Sequence, residues 1–87
     1  NEETQAFAYP NPFDGTVNVY YYAEVDEVVD LALYSLTGAL IKQYTATVRK
    51  SNPYKFSFSE LSNCPPSMYI LKITNSREER IVKMLKK

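Results

Sequence analysis

Along this chain, short stretches of alternating apolar and polar residues are separated by proline, glycine, asparagine and serine. From Thr16 to Tyr22, the side chains of Val17, Val19 and Tyr21 fall on one face and those of Asn18, Tyr20 and Tyr22 on the other. A period of two marks a half-buried strand, with the valine face inward. Val28 to Ser35 repeats the pattern, setting Val29, Leu31 and Leu33 against Asp30, Ala32 and Tyr34, and Met68 to Thr74 does so with Tyr69, Leu71 and Ile73. Ala39 to Val48 reads as another long strand, although its Leu40-Ile41 doublet leaves the facing open. Tyr54 to Ser59 carries Phe56 and Phe58 in step, and Glu79 to Lys86 closes the chain. A short first strand is expected over Gln5 to Tyr9, stopped by Pro10 and Pro12, which lack the amide a ladder needs.

The breakers fall where those strands require them: Asp14-Gly15, Leu36-Thr37-Gly38, Ser51-Asn52-Pro53, Asn63 to Ser67 and Asn75-Ser76. Gly38 is the natural residue for a positive φ. The acidic stretch Glu24 to Glu27 is expected to be a solvated connection. No segment shows a helical period. Seven strands with turn signals about every ten residues predict an all-β fold, a seven-stranded antiparallel immunoglobulin-like β-sandwich of Greek-key type. Residues 1–8 are expected to form a linker and candidate first strand, and residues 9–87 a single sandwich.

Composition narrows the chemistry. With 87 residues and no histidine, the chain has one modest core and lacks both the usual acid–base group near neutral pH and the commonest metal ligand. Histidine-based triads are therefore excluded, and with them the simplest reading as a small hydrolase. The single cysteine, Cys64, cannot close an intrachain disulfide or build a cysteine metal cage. It is expected to act as a small buried hydrophobe, because no cation or helix N-terminus is in view to lower its pKa. The apolar runs are far shorter than the roughly 20 residues of a transmembrane helix. The opening Asn1, with no signal-peptide pattern after it, suggests a segment of a longer protein.

The ten basic and ten acidic side chains cancel, which argues against nucleic acid or an anionic membrane as the main partner. They are not evenly spread. Glu2, Glu3, Asp14, Glu24, Asp26, Glu27 and Asp30 precede every base, while Lys72, Arg77, Arg80, Lys83, Lys86 and Lys87 crowd the end. Glu24, Asp26, Glu27 and Asp30 offer clustered oxygens for calcium, yet lack the glycine and bidentate glutamate of a calcium loop. No metal or other cofactor is expected. Tyr20, Tyr22 and Tyr34 share an outward phase and could form an aromatic platform for sugar, although tyrosine also simply stabilises sheets.

Four elements, in order, resemble the C-terminal sorting domain of proteins exported by the type IX secretion system of Bacteroidota. They are "YPNPF" at Tyr9 to Phe13, "VVDLALYSLTGALIKQY" at Val28 to Tyr44, "SNCPPSMYILKI" at Ser62 to Ile73, and "ERIVKMLKK" from Glu79 to Lys87. The family's proline–asparagine–proline element is matched by Pro10, Asn11 and Pro12. Its leucine–tyrosine strand and glycine turn are matched by Leu33 to Gly38, its late glycine-x-tyrosine strand by Ser67 to Tyr69, and its basic–apolar last strand by Arg80 to Lys83 and the four residues after them. Two positions depart: Ser67 stands where the family has glycine, and Cys64 where a leucine usually packs. Ser67 must adopt glycine-like angles or use a different turn set by Pro65 and Pro66.

The resemblance implies a noncatalytic module that folds in the periplasm and directs a covalently linked N-terminal cargo across the outer membrane. Its implied partners are the translocon or shuttle proteins of the system and a surface sortase, which in much of the family removes the domain and attaches the cargo to an anionic lipopolysaccharide. The protein would then be secreted or reach the cell surface. Recognition is expected at the tail Lys83, Met84, Leu85, Lys86 and Lys87, read as an exposed end available for strand addition. Removing Met84 to Lys87 should then leave the fold intact. An accessory or carbohydrate-binding module of fibronectin or immunoglobulin type is the alternative.

Overall fold

Each alternating stretch forms a strand in the computed structural model, which describes residues 5–87. The strands are β1 (Gln5–Tyr9), β2 (Val17–Tyr22), β3 (Glu27–Ser35), β4 (Leu40–Val48), β5 (Pro53–Phe58), β6 (Met68–Thr74) and β7 (Glu79–Leu85). All neighbours run antiparallel, in one sheet of order β1-β2-β5 and another of order β4-β3-β6-β7. The chain crosses between sheets at β2–β3, β4–β5 and β5–β6, consistent with the immunoglobulin-like sandwich expected. Of the linker expected over residues 1–8, residues 1–4 lie outside the described residues. The rest belongs to β1, which pairs with β2 from Gln5↔Tyr22 to Tyr9↔Asn18.

The two valine-rich faces meet as the alternation requires. Val17, Val19 and Tyr21 of β2 are fully buried with Val29, Leu31 and Leu33 of β3, and Tyr69, Leu71 and Ile73 of β6 join them. Burying each large side chain contributes about 1.5–3 kcal/mol. Three further members come from outside the clear alternation: Phe13, Leu61 and Met84, all 1% exposed or less.

The Leu40-Ile41 ambiguity resolves through register. Leu33 pairs with Lys42 whereas Tyr34 pairs with Leu40, so Ile41 is an extra residue bulged into the ladder. Beyond it, Lys42, Tyr44, Ala46 and Val48 stand opposite the inward side chains of Leu33, Leu31, Val29 and Glu27, and so share their face. The Gly38 turn has φ +93°, a left-handed geometry that costs a Cβ-bearing residue about 1 kcal/mol or more. Ser67 is not among the positive-φ residues, so the Pro65-Pro66 bend replaces the family's glycine geometry.

Two expectations need correction. Glu27 does not lie in a solvated connection: it begins β3, and its side chain is only 3% exposed. The chain end is not a free projecting strand either. β7 stops at Leu85, Lys86 forms a parallel bridge with Phe13, and both Met84 and Lys86 are buried. Alternation alone places Met84 on one face or the other of a terminal strand; its burial follows from β7 pairing outside β6, with Met84 opposite Tyr69.

Truncating Met84→Ala is therefore expected to destabilise the fold by about 2–4 kcal/mol, read as a lower urea midpoint with an unchanged slope. Deleting Met84 to Lys87 should cost at least as much. A deletion variant as stable as the parent would show that the last residues are dispensable to the core.

Candidate functional site

The most constructed part of the surface is where the segment after β1 meets the end of the chain. Pro10 and Pro12 flank Asn11 and have no N–H to donate, so this segment cannot pair with β7 as a regular strand. The Asn11 side chain does so instead: its Nδ2 donates to the Lys83 carbonyl at 3.2 Å, and its Oδ1 accepts from the Leu85 amide at 3.0 Å. A primary amide carries the same donor and acceptor as a peptide group, which is why asparagine suits this place. Backbone pairing resumes immediately afterwards. Phe13 N donates to Leu85 O at 2.8 Å, and Lys87 N donates to Phe13 O at 2.9 Å.

This clasp gives each tail residue a different role. Lys83 and Leu85 present exposed side chains, Met84 is core, and Lys86 lies with its stem buried. The Lys86 ammonium reaches Asp14 Oδ1 at 3.5 Å and the Lys87 carbonyl at 3.1 Å, keeping its head in polar company while the methylenes pack. Lys86 N donates to Ser67 O at 2.8 Å. The tail offers alternating side chains on one face, but much of its outer backbone edge is already occupied.

The remaining resemblance residues gather at the same end of the sandwich. Phe13 meets Tyr69 edge to face, with ring centroids 5.8 Å apart. Tyr69 is opposite Met84 in one ladder and Ser35 in the other, and its hydroxyl donates to Pro65 O at 2.7 Å. Burial pushes the Tyr69 phenol upward, with Cys64 adding to the effect, so it stays protonated and serves as a donor. Beside it, the turn at Ser35, Leu36 and Thr37 and the bend at Cys64, Pro65 and Ser67 enclose a mostly apolar hollow of about 270 Å³. Four motifs separated in sequence thus form one continuous end. Phe13 was not singled out by the alternation; its position directly after Pro10-Asn11-Pro12 is the signal that could have found it.

The opposite end holds a polar network. Glu27 Oε2 accepts from Tyr21 Oη at 2.9 Å and Arg77 Nη2 at 3.0 Å, while Oε1 accepts from Ser76 Oγ at 2.6 Å. Asn75 Nδ2 donates to Tyr21 Oη at 2.8 Å. Burial would raise the Glu27 carboxyl, but the hydrogen bonds from Ser76, Tyr21 and Arg77 outweigh it and hold the group below its ordinary value.

The other candidate groups do not converge. Glu27 faces Arg77, Asp30 accepts from Gln43 and Thr45, and Asp26 accepts from Lys50 N. Among the described residues no three His, Cys, Asp or Glu side chains gather as a metal set. Tyr34 belongs to a different sheet from Tyr20 and Tyr22, so the three cannot make one platform, because adjacent strands in sequence cross between layers at this point. Tyr20 instead stacks on Phe7 at 5.1 Å, and Tyr34 lies under the Lys72 ammonium at 5.3 Å. Cys64 is half-buried against the core.

The all-β sandwich thus carries, just after β1, a proline motif that clasps its last strand. The family model described as "Secretion system C-terminal sorting domain" matches residues 7–87, and the chain belongs to that family, the C-terminal sorting signals of type IX secretion. A protein bearing such a signal is handled by the type IX machinery and is secreted or displayed at the cell surface. The family is one of signals and generally noncatalytic. No curated protein matches the chain.

Among solved structures, dimeric latent PorU from Porphyromonas gingivalis aligns with a TM-score of 0.73 at 14% identity, covering 95% of this chain and 9% of that one. The likeness is one of fold, and this chain spans a small fraction of that protein. A β-glucosidase variant from Listeria innocua in complex with laminaribiose covers 98% of this chain and 16% of its own, at 11% identity and a TM-score of 0.47.

Two outcomes are expected of this geometry. Asn11→Ala removes both side-chain bonds to β7 and should cost about 1–3 kcal/mol, whereas a parental urea midpoint would show that the Asn11 side chain contributes nothing to the clasp. Glu27→Gln should cost on the order of 2–3 kcal/mol at pH 7, since it breaks a shielded charge-assisted network. Because the folded carboxyl titrates below the unfolded one, its contribution is complete above about pH 4.5 and is lost as pH falls through the folded value. The gap between parent and variant in urea melts should accordingly narrow from pH 5 to pH 3. A gap independent of pH would exclude the carboxylate as its source.

Proposed function

We propose that this domain is the removable address of an exported cargo, read by the secretion machinery as a folded surface rather than as a linear tail. The domain folds in the periplasm, the translocon or its shuttle proteins engage the joined end of the sandwich, and the attached cargo crosses the outer membrane. A surface sortase then cuts the chain upstream of β1 and transfers the cargo to a surface acceptor, in line with the resemblance. The domain itself performs no chemistry in this sequence of events.

The observation that supports this reading best is the convergence of Pro10 to Phe13, the Gly38 turn, Ser67 to Tyr69 and Lys83 to Lys87 at one end. Met84 and Lys86 support the fold, whereas Lys83 and Leu85 carry the side chains a partner would touch. The two roles alternate residue by residue along the tail.

Surface and core contributions can be separated with a reporter fused ahead of residues 1–87 in a host that has the export system. The double variant Lys83→Glu and Leu85→Glu changes only exposed side chains and should melt within about 1 kcal/mol of the parent, yet reduce surface delivery at least fivefold. Parental delivery of a folded double variant would overturn tail-face recognition. Retention of the parental fusion in the periplasm would overturn the address function itself.

A further inference from the structure

One long side of the sandwich is closed and the other is open. On the closed side, β1 and β7 are tied together by the Asn11 clasp and by Arg80 Nη1 donating to Ala6 O at 3.2 Å. On the open side, β4 and β5 end their respective sheets and do not pair with one another. Between them runs a groove of about 370 Å³, lined by Tyr44, Thr45, Ala46, Lys55, Phe56 and Ser57. Tyr44 leans across the gap, with its ring centroid 5.0 Å from that of Phe58, and remains 38% exposed.

β4 is an unusual edge. Natural sheets guard such edges with proline, lysine, a bulge or a short length; β4 is nine residues long, and both its bulge at Ile41 and its one lysine, Lys42, lie near its start, leaving Tyr44 to Val48 unguarded. Lys42 is itself engaged, 3.7 Å from Glu60. The acids that border this side are already engaged, Asp30 by Gln43 and Thr45, Glu60 by Lys42 and Asp26 by Arg49. Between Asp30 and Glu60 the sequence holds Lys42, Arg49, Lys50 and Lys55 and no acid. Arg49 approaches Asp26 at 3.9 Å, whereas Lys55 lines the groove with no ion-pair partner among the described residues.

Shape limits the occupant. Packed sheets stand about 10 Å apart, so the rim between them admits alternate side chains of one extended strand but not the 10–12 Å cylinder of a helix. We propose that the β4–β5 side is a docking groove for an extended acidic peptide segment of a partner protein, which adds as a strand to the β4 edge. Alternate apolar side chains of that segment enter between Tyr44 and Phe56, and a carboxylate meets Lys55. Main-chain pairing supplies affinity, and the pockets with their lysine supply selectivity. The site lies on the side of the sandwich away from the Asn11 clasp, so it is separate from the tail face.

The test is an NMR titration of the isotope-labelled 87-residue chain with an acetylated nonapeptide of alternating threonine and valine, in which glutamate replaces every second valine. A lysine version is the control. The expected result is amide shift changes confined to residues 42–46 and 55–57, with the glutamate peptide binding at least fivefold more tightly than the lysine peptide. Lys55→Glu, a surface change, should abolish that preference, while Lys83→Glu should leave it intact. Equal affinity for the two peptides, or shifts centred on β7, would overturn the proposal. Concentration-dependent shifts of β4 without peptide would overturn it in favour of a second copy of the chain as the occupant.

Discussion

The pairing of Pro10 to Phe13 with Lys83 to Lys87 is the contact on which this sandwich depends. It joins segments 72 or more residues apart and does so with little regular ladder, because the prolines leave the asparagine side chain to act as a peptide group. A chain of this size has only a modest core, so each contact that closes it counts. Closing the sheet edge fixes Met84 against Tyr69 and seats Phe13 in the interior, and both aromatic rings lie directly beneath the surface where the family motifs meet. Fold closure and the candidate recognition face therefore share the same residues.

The far end of the molecule is built on a different principle. There Glu27, Tyr21, Asn75, Ser76 and Arg77 satisfy one another in partial shelter from water. Such networks specify geometry more than they add net stability, and this one brings the start of β3 to the turn between β6 and β7. One end of the sandwich is thus mostly apolar and formed by the Pro10-to-Phe13 segment and the last residues of the chain, while the other is polar and formed where Glu27 and Tyr21 meet the turn between β6 and β7. The two long sides differ as well, one tied and the other with both sheets ending in unpaired edges.

Much of this was legible along the chain, because a strand's period of two is a local property. The strands, their turns, and the inward sets of β2, β3 and β6 follow from the spacing of valine, leucine and tyrosine between breakers. Glu27 was not legible, since an acidic run of Glu24 to Glu27 looks the same whether its last member faces water or an arginine 50 residues away. Tyr34 misled for a related reason: outward phase is written locally, but sheet membership is not. The β4 facing depended on a single bulged residue, Ile41, whose place is set by pairing with β3.

By itself the sequence determined the fold class, the absence of histidine chemistry and the family to which the four motifs point. These are properties of composition, period and short-range order. Only the tertiary structure decided what the tail is. Lys86 and Met84 look like part of an exposed basic end when read in order. The parallel bridge to Phe13 and the ladder to β6 turn them inward and leave Lys83 and Leu85 outside. The physical reason is that burial belongs to pairs of distant segments, and which segments pair is settled by the free energy of closing the whole sandwich rather than by any stretch of it.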